Sequence, residues 1–263
     1  MHSKALTSLR GFFQPILRFL GMTTTPPTEL EFPHYFRVQD WETTLLEHYR
    51  SYHPELGPLI RSRMKTLGVK TICHFKKKED AEHEYLVAEV YDPDLGRNRY
   101  LRIGRYVGDT FLHNHDTGRS ISATSSNSSL VSKKFPATDY VEAVAEWPTD
   151  DICIVNLSCR DSQMIVLDLA IVAKVVHDYD KEYQVLTRQC YWYSGVIISV
   201  LQKSFSLKPG HGQDLATQFF PKKGGTYKSI PIYSEQRDMI VTICSLFETY
   251  KDEIYSSVNL LSV

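Results

Sequence analysis

From Tyr191 to Leu201 the chain reads Tyr-Trp-Tyr-Ser-Gly-Val-Ile-Ile-Ser-Val-Leu. A helix this apolar on every side has no face to offer to water, so it must run through a core. Thr187 stands where it can cap the first unpaired N–H groups, which puts Cys190 in the first turn. A thiol there lies at the positive end of the helix dipole, which favours thiolate, the nucleophilic form. By this reasoning Cys190 is expected to be the most reactive thiol of the chain. Cysteine is also among the most frequently buried residues, and an inert packing role is the competing reading.

The 263 residues can enclose such a helix in one large domain. A net charge of −1 gives no electrostatic case for nucleic acid. The five cysteines, Cys73, Cys153, Cys159, Cys190 and Cys244, are odd in number and lack CxxC spacing. That argues against a disulfide framework and a zinc ribbon, and for a reducing, cytoplasmic setting. No Walker loop, GxGxxG, GxSxG or HExxH occurs, so no cofactor is expected. His113 and His115 have no carboxylate or cysteine completing a metal set, and no metal is expected.

Residues 1–24 carry Lys4, Arg10 and Arg18 with apolar positions at helical spacing, a pattern suited to a tail helix or to a membrane surface. The three prolines of residues 23–33 mark a linker, so the chain divides into a segment 1–33 and a domain 34–263. Residues 41–70 read as two helices split by Pro54 and Gly57, and residues 76–82 as a solvated charged run. His83 to Tyr91 and Arg99 to Ile103, joined by Asp-Pro-Asp-Leu-Gly, form an antiparallel hairpin. Its alternation puts Leu86, Ala88 and Val90 toward a core and His83, Tyr85, Val87 and Glu89 on the other face. A turn centred on residues 95–96 sets Glu89 opposite Arg102. Residues 113–138, polar and serine-rich, read as a flexible insertion. Two strands at 140–147 and 151–157, a helix capped by Ser162, a strand at 226–233 and a helix at 234–256 complete an α+β chain. Its antiparallel sheet of about four or five strands packs on the Cys190 helix.

Thiol hydrolases combine a low-pKa cysteine, a histidine in hydrogen-bond reach and a polar group that orients it. Among ten histidines, His83 is the best placed because it opens a strand. His177 ends a helix, where an imidazolium suits the dipole. The strand opening His83-Glu84-Tyr85-Leu86-Val87, its partner Arg99-Tyr100-Leu101-Arg102-Ile103, and the later Tyr183-x-Val-Leu-x-x-Gln189-Cys190-Tyr191-Trp192-Tyr193 resemble the permuted papain-like thiol hydrolases. The nearest branch is the lecithin:retinol acyltransferase-like group, and uncharacterised fungal proteins share the pattern. The resemblance spans roughly residues 80–205. It implies Cys190 as nucleophile and His83 as base, acting on a peptide, amide or acyl substrate. The chain departs from that group at Gln189, where asparagine is usual, and at Tyr191-Trp192, where a Glu-His pair is usual. It has no second histidine on the adjoining strand, which leaves Glu89, Arg102 and Gln189 as cleft or orienting residues. An inactive descendant serving as an interaction module on the same fold is the alternative.

Overall fold

The computed structural model describes residues 35–50, 62, 65–78, 83–93, 95–107, 134–160, 162–184, 190–209, 226–227, 230–231 and 237–258. The segment 1–33, the Thr187 cap, Gln189, both His113 and His115, and residues 113–133 of the expected insertion lie outside them.

The chain is α+β, and among the described residues every strand pairing is antiparallel. The strands are β1 (Phe36–Arg37), β2 (Gly68–Lys76), β3 (Glu84–Asp92), β4 (Arg97–Val107), β5 (Lys134–Val144), β6 (Ile152–Ser158), β7 (Glu182–Gln184) and β8 (Lys208–Pro209). The order across the main sheet is β1-β5-β4-β3-β2-β6-β8, with β7 also on β5. A small hairpin, β9 (Thr226–Tyr227) and β10 (Ile230–Pro231), replaces the single strand expected at 226–233. The helices are α1 (Val38–Arg50), α2 (Val166–Tyr179), α3 (Cys190–Phe205) and α4 (Arg237–Ser257).

The β3–β4 hairpin closes on an Asp92 carboxylate that accepts the Leu95 N–H at 3.2 Å, and on Gly96 at φ +61°. An aspartate turn followed by a left-handed glycine is what this turn chemistry requires. The register pairs Glu89 with Tyr100 and Val87 with Arg102, two residues from the expected pairing. A shift of two leaves every side chain on its expected face. Leu86, Ala88, Val90, Leu101 and Ile103 join the helices in the main core, while Cys73, Phe75, Tyr85 and Val87 form a separate cluster on the opposite face.

Several expectations need correction. Gly68–Lys76 is strand, not the end of a helix followed by solvated charge. β2 lies between β3 and β6, and its inward residues include His74 and Lys76, so polarity hid a buried strand. Residues 134–138, assigned to the insertion, begin β5. Ser162 does not cap α2. Its hydroxyl donates to the Cys159 carbonyl at 2.7 Å, and the cap position is Ile165, whose N–H is accepted by Asp168 at 2.9 Å.

α2 and α3 are the buried pair, as their all-round apolarity requires. α4 covers them from outside. It is fixed by Tyr250 donating to Glu42 (2.9 Å), Tyr255 donating to Asp168 (2.7 Å) and Lys251 against Asp168 (3.1 Å). Cys244 of that helix is half-buried, packed at the rim of the core.

On the face away from the helices Tyr140 lies across Gly104, its register partner in β4. A Cβ at Gly104 would stand 2.7 Å from Tyr140 Oη and 2.8 Å from Cε1. The ring is stacked between Tyr106 (5.0 Å) and Tyr35 (5.7 Å), which restrains it from giving way. Gly104→Ala is expected to cost about 1–3 kcal/mol by overpacking. The urea midpoint reads this, and a midpoint equal to the parent's would show that the tyrosine stack yields freely.

Candidate functional site

Cys190 is the first residue of α3, and that helix packs on β3 and β4. The residue is 4% exposed. The backbone N–H groups of Glu84, Cys190 and Tyr191 hydrogen-bond to the sulfur, while the Glu84 carboxylate opposes a thiolate. Burial is the largest influence and pushes the thiol up to about 12. A rise of that size corresponds to about 4 kcal/mol against ionisation. The helix N-terminus returns about 0.3–2 kcal/mol. Burial therefore wins, and the expected low thiol pKa is not what this environment gives.

Glu84 is the carboxylate beside that thiol. It has no exposure, and its Oε2 lies 2.8 Å from His74 Nε2 on the neighbouring strand. Lys76, also buried, holds its ammonium 6.0 Å from the Tyr191 ring centre. The corner around Cys190 is thus built from Glu84, His74 and Lys76, none of which was assigned to the site from sequence. The signal was available in the alternation: if His83 faces away from the core, Glu84 faces into it.

His83 belongs to the opposite face. Its ring stacks on Tyr106 at 4.5 Å and lies 6.3 Å from Tyr85. Its Nε2 is enclosed without a hydrogen-bond partner. Burial, then the charges of Lys77 and Arg102, lower its pKa to about 3. A ring so disposed is neutral near pH 7 and supplies no imidazolium to a thiolate.

Glu89 accepts from Asn98 Nδ2 at 2.6 Å. Arg102 donates through Nε to Glu142 at 2.6 Å and stands over the Tyr85 ring at 5.7 Å. Each therefore has its own partner. The structure brings His83, Glu89 and Arg102 to one face of the sheet, while Cys190 opens the helix packed on β3 and β4, near enough for its charge to be felt at Tyr106, the ring on which His83 stacks.

A second buried polar set lies on the helix side. Arg105, without exposure, donates from Nε and Nη2 to the two Asp139 oxygens at 2.7 and 2.6 Å, and from Nη2 to the Asp180 carbonyl at 2.9 Å. Its guanidinium lies 4.9 Å from the Trp192 ring centre and 4.7 Å from that of Tyr193. Asp139 Oδ2 also meets His177 Nδ1 at 2.7 Å, and His177 Nε2 meets the Gln39 amide nitrogen at 2.7 Å. With the amide donating to Nε2, the hydrogen-bond network assigns the proton to Nδ1. His177 stands in the last turn of α2, as expected, and is a buried structural link there. Within the set, Arg105 Nη1 and Gln39 Oε1 are buried without a hydrogen-bond partner among the described residues, while the other contacts tie the sheet to the helices.

Among the described residues no group of three or more His, Cys, Asp or Glu could hold a metal ion. None of the described helices is long and apolar enough to cross a membrane. Compared with known proteins, the chain matches no family model, no curated protein and no solved structure.

Two outcomes follow from these environments. Asp139→Asn leaves Arg105 buried without a counter-charge and is expected to cost about 3–5 kcal/mol in denaturant unfolding. A loss below about 1 kcal/mol would mean that water reaches the guanidinium. His83 makes the fold acid-sensitive. Its folded pKa of about 3 lies below the unfolded value of 6.5, so the unfolded chain binds more protons between those values. Stability from this group is full above pH 6.5 and falls as pH drops toward 3. His83→Phe keeps the ring stack and removes the titration, so its stability curve is expected to be flatter than the parent's between those limits. Parallel curves would show that His83 protonates as easily folded as unfolded.

Proposed function

We propose that the chain is a non-catalytic interaction module on a permuted papain-like α+β scaffold. The observation that carries this reading is the state of Cys190: a residue 4% exposed, with burial pushing its thiol pKa up to about 12 beside the Glu84 carboxylate. Thiol hydrolysis requires an accessible thiolate and an imidazole within hydrogen-bond reach. His83 is instead engaged with Tyr85 and Tyr106. The scaffold assignment is supported by a cysteine opening a buried helix and by the packing of that helix on an antiparallel sheet. The strand that begins at Glu84 is central in that sheet. The proposed setting is the cytoplasm, on the strength of the odd, scattered cysteines.

One observation favours a second reading, a cysteine-dependent hydrolase or acyl or amide transferase. The N–H groups of Glu84, Cys190 and Tyr191 converge on one sulfur. Donors aimed at a sulfur favour its thiolate, the attacking form in acyl transfer. In that reading Cys190 attacks a peptide, amide or acyl carbonyl and His83 carries the proton. His83 would first have to leave its tyrosine stack.

Alkylation of native protein as a function of pH separates the two. With adducts mapped by mass, Cys190 is expected to stay unlabelled to about pH 9, in the parent and in His83→Ala alike. A Cys190 midpoint below about pH 7 that rises in His83→Ala would displace the module reading and put the transferase first.

A further inference from the structure

The remaining cysteines include two whose placement suits chemistry that Cys190's does not. Cys73 lies in β2 and Cys153 in β6, which are adjacent. Cys153 is opposite Phe75, and Cys73 is two residues from Phe75, on the same face. The ladder then bulges: Phe75 pairs with Cys153 but His74 with Val155, so Ile154 is the extra residue. A bulge bends its strand and re-aims the side chains beside it. Here the two sulfurs come within hydrogen-bond reach of each other. Cys73 is 1% exposed, in the cluster of Phe75, Tyr85 and Val87, whereas Cys153 is exposed.

We propose that Cys73 and Cys153 are a redox pair which a hydroperoxide converts into a cross-strand disulfide, Cys153 reacting first and Cys73 resolving. The asymmetry assigns the order. An oxidant reaches Cys153 from solvent and Cys73 only through it. The contact between the sulfurs points the same way, lowering the Cys153 thiol and raising that of buried Cys73, while Cys153 Sγ also donates to the Val155 carbonyl at 3.5 Å. The exposed sulfur is the one that ionises, and thiolate is the form that attacks peroxide.

In the first step the Cys153 thiolate attacks one peroxide oxygen. The O–O bond breaks, the leaving hydroxide takes a proton to become water, and Cys153 becomes a sulfenic acid, oxidised by two electrons. The Cys73 sulfur then attacks the Cys153 sulfur. The S–S bond forms, the S–O bond breaks, and the departing hydroxide takes the Cys73 proton. Two thiols and one hydrogen peroxide give one disulfide and two waters. The other cysteines are poorer candidates. Burial raises the Cys159 thiol to about 12, and Cys244 is half-buried with its thiol raised, first by burial.

Reduced full-length protein treated with one equivalent of hydrogen peroxide tests the assignment. Thiol titration in denaturant is expected to fall from five groups to three. A non-reducing digest should yield one cross-linked pair of peptides, carrying residues 73 and 153. Cys73→Ala should leave a Cys153 sulfenic acid that dimedone traps, and Cys153→Ser should keep all its remaining thiols. Five intact thiols in the parent would overturn the proposal. So would Cys153 oxidised without a cross-link, a disulfide between chains only, or an unchanged loss in Cys153→Ser. Circular dichroism of each variant before treatment separates lost pairing from lost fold. The outcome is independent of the role given to Cys190.

Discussion

The arrangement of helices on the sheet depends on one buried charge. Arg105 has no exposure, and a guanidinium is never relieved of its charge at physiological pH. Its burial is tolerable only because Asp139 on the next strand meets it with both oxygens. The remaining groups around it come from the helical layer: the Asp180 carbonyl beyond the end of α2, and the Trp192 and Tyr193 rings of α3. The second lone pair of Asp139 reaches His177 of α2, and through it Gln39 of α1. Three helices are thus keyed to a single ion pair. Apolar packing alone would allow α2 or α3 to slide by a turn, whereas this network has one geometry in which every charge is met.

That constraint explains which parts of the fold were legible. The β3–β4 hairpin carried turn chemistry and clean alternation, and its faces came out as expected although the pairing moved by two residues. The apolarity of α3 announced a core helix. β2 was not legible, because Lys70, His74 and Lys76 give it the look of a helix end followed by surface. Its buried polar residues are met by Glu84 and by the Tyr191 ring, partners that only the folded chain brings together. The misplaced cap of α2 has a similar origin. Ser162 resembles a cap in sequence but turns its hydroxyl back to Cys159, and Asp168 takes over the N–H of Ile165.

The candidate site was half legible for the same reason. Cys190 does open a buried helix, and His83 does stand at the head of the β3 strand, on the face expected. Strand alternation carried more than was drawn from it. With His83 turned away from the core, the residue able to meet the cysteine helix is Glu84, and a carboxylate beside a sulfur works against thiolate. The pattern His-Glu at a strand start therefore has two meanings, depending on which of the two faces the helix. Here it is the glutamate.

Cys190 and Cys153 make the point about environment most sharply. Both are thiols with hydrogen-bond donors aimed at them, and counting donors would rank Cys190 the more acidic. What separates them is access to water and the company each keeps. Cys190 is sealed between α3 and the sheet with a carboxylate as neighbour. Cys153 is exposed, and the sulfur beside it belongs to Cys73, whose thiol is raised by that contact and then by burial. A helix dipole contributes about 0.3–2 kcal/mol, less than the desolvation of a fully enclosed sulfur. Position in a helix is therefore a weak guide to thiol chemistry until burial is known, and in this chain burial moves the reactive sulfur from the central helix to the opposite face of the sheet.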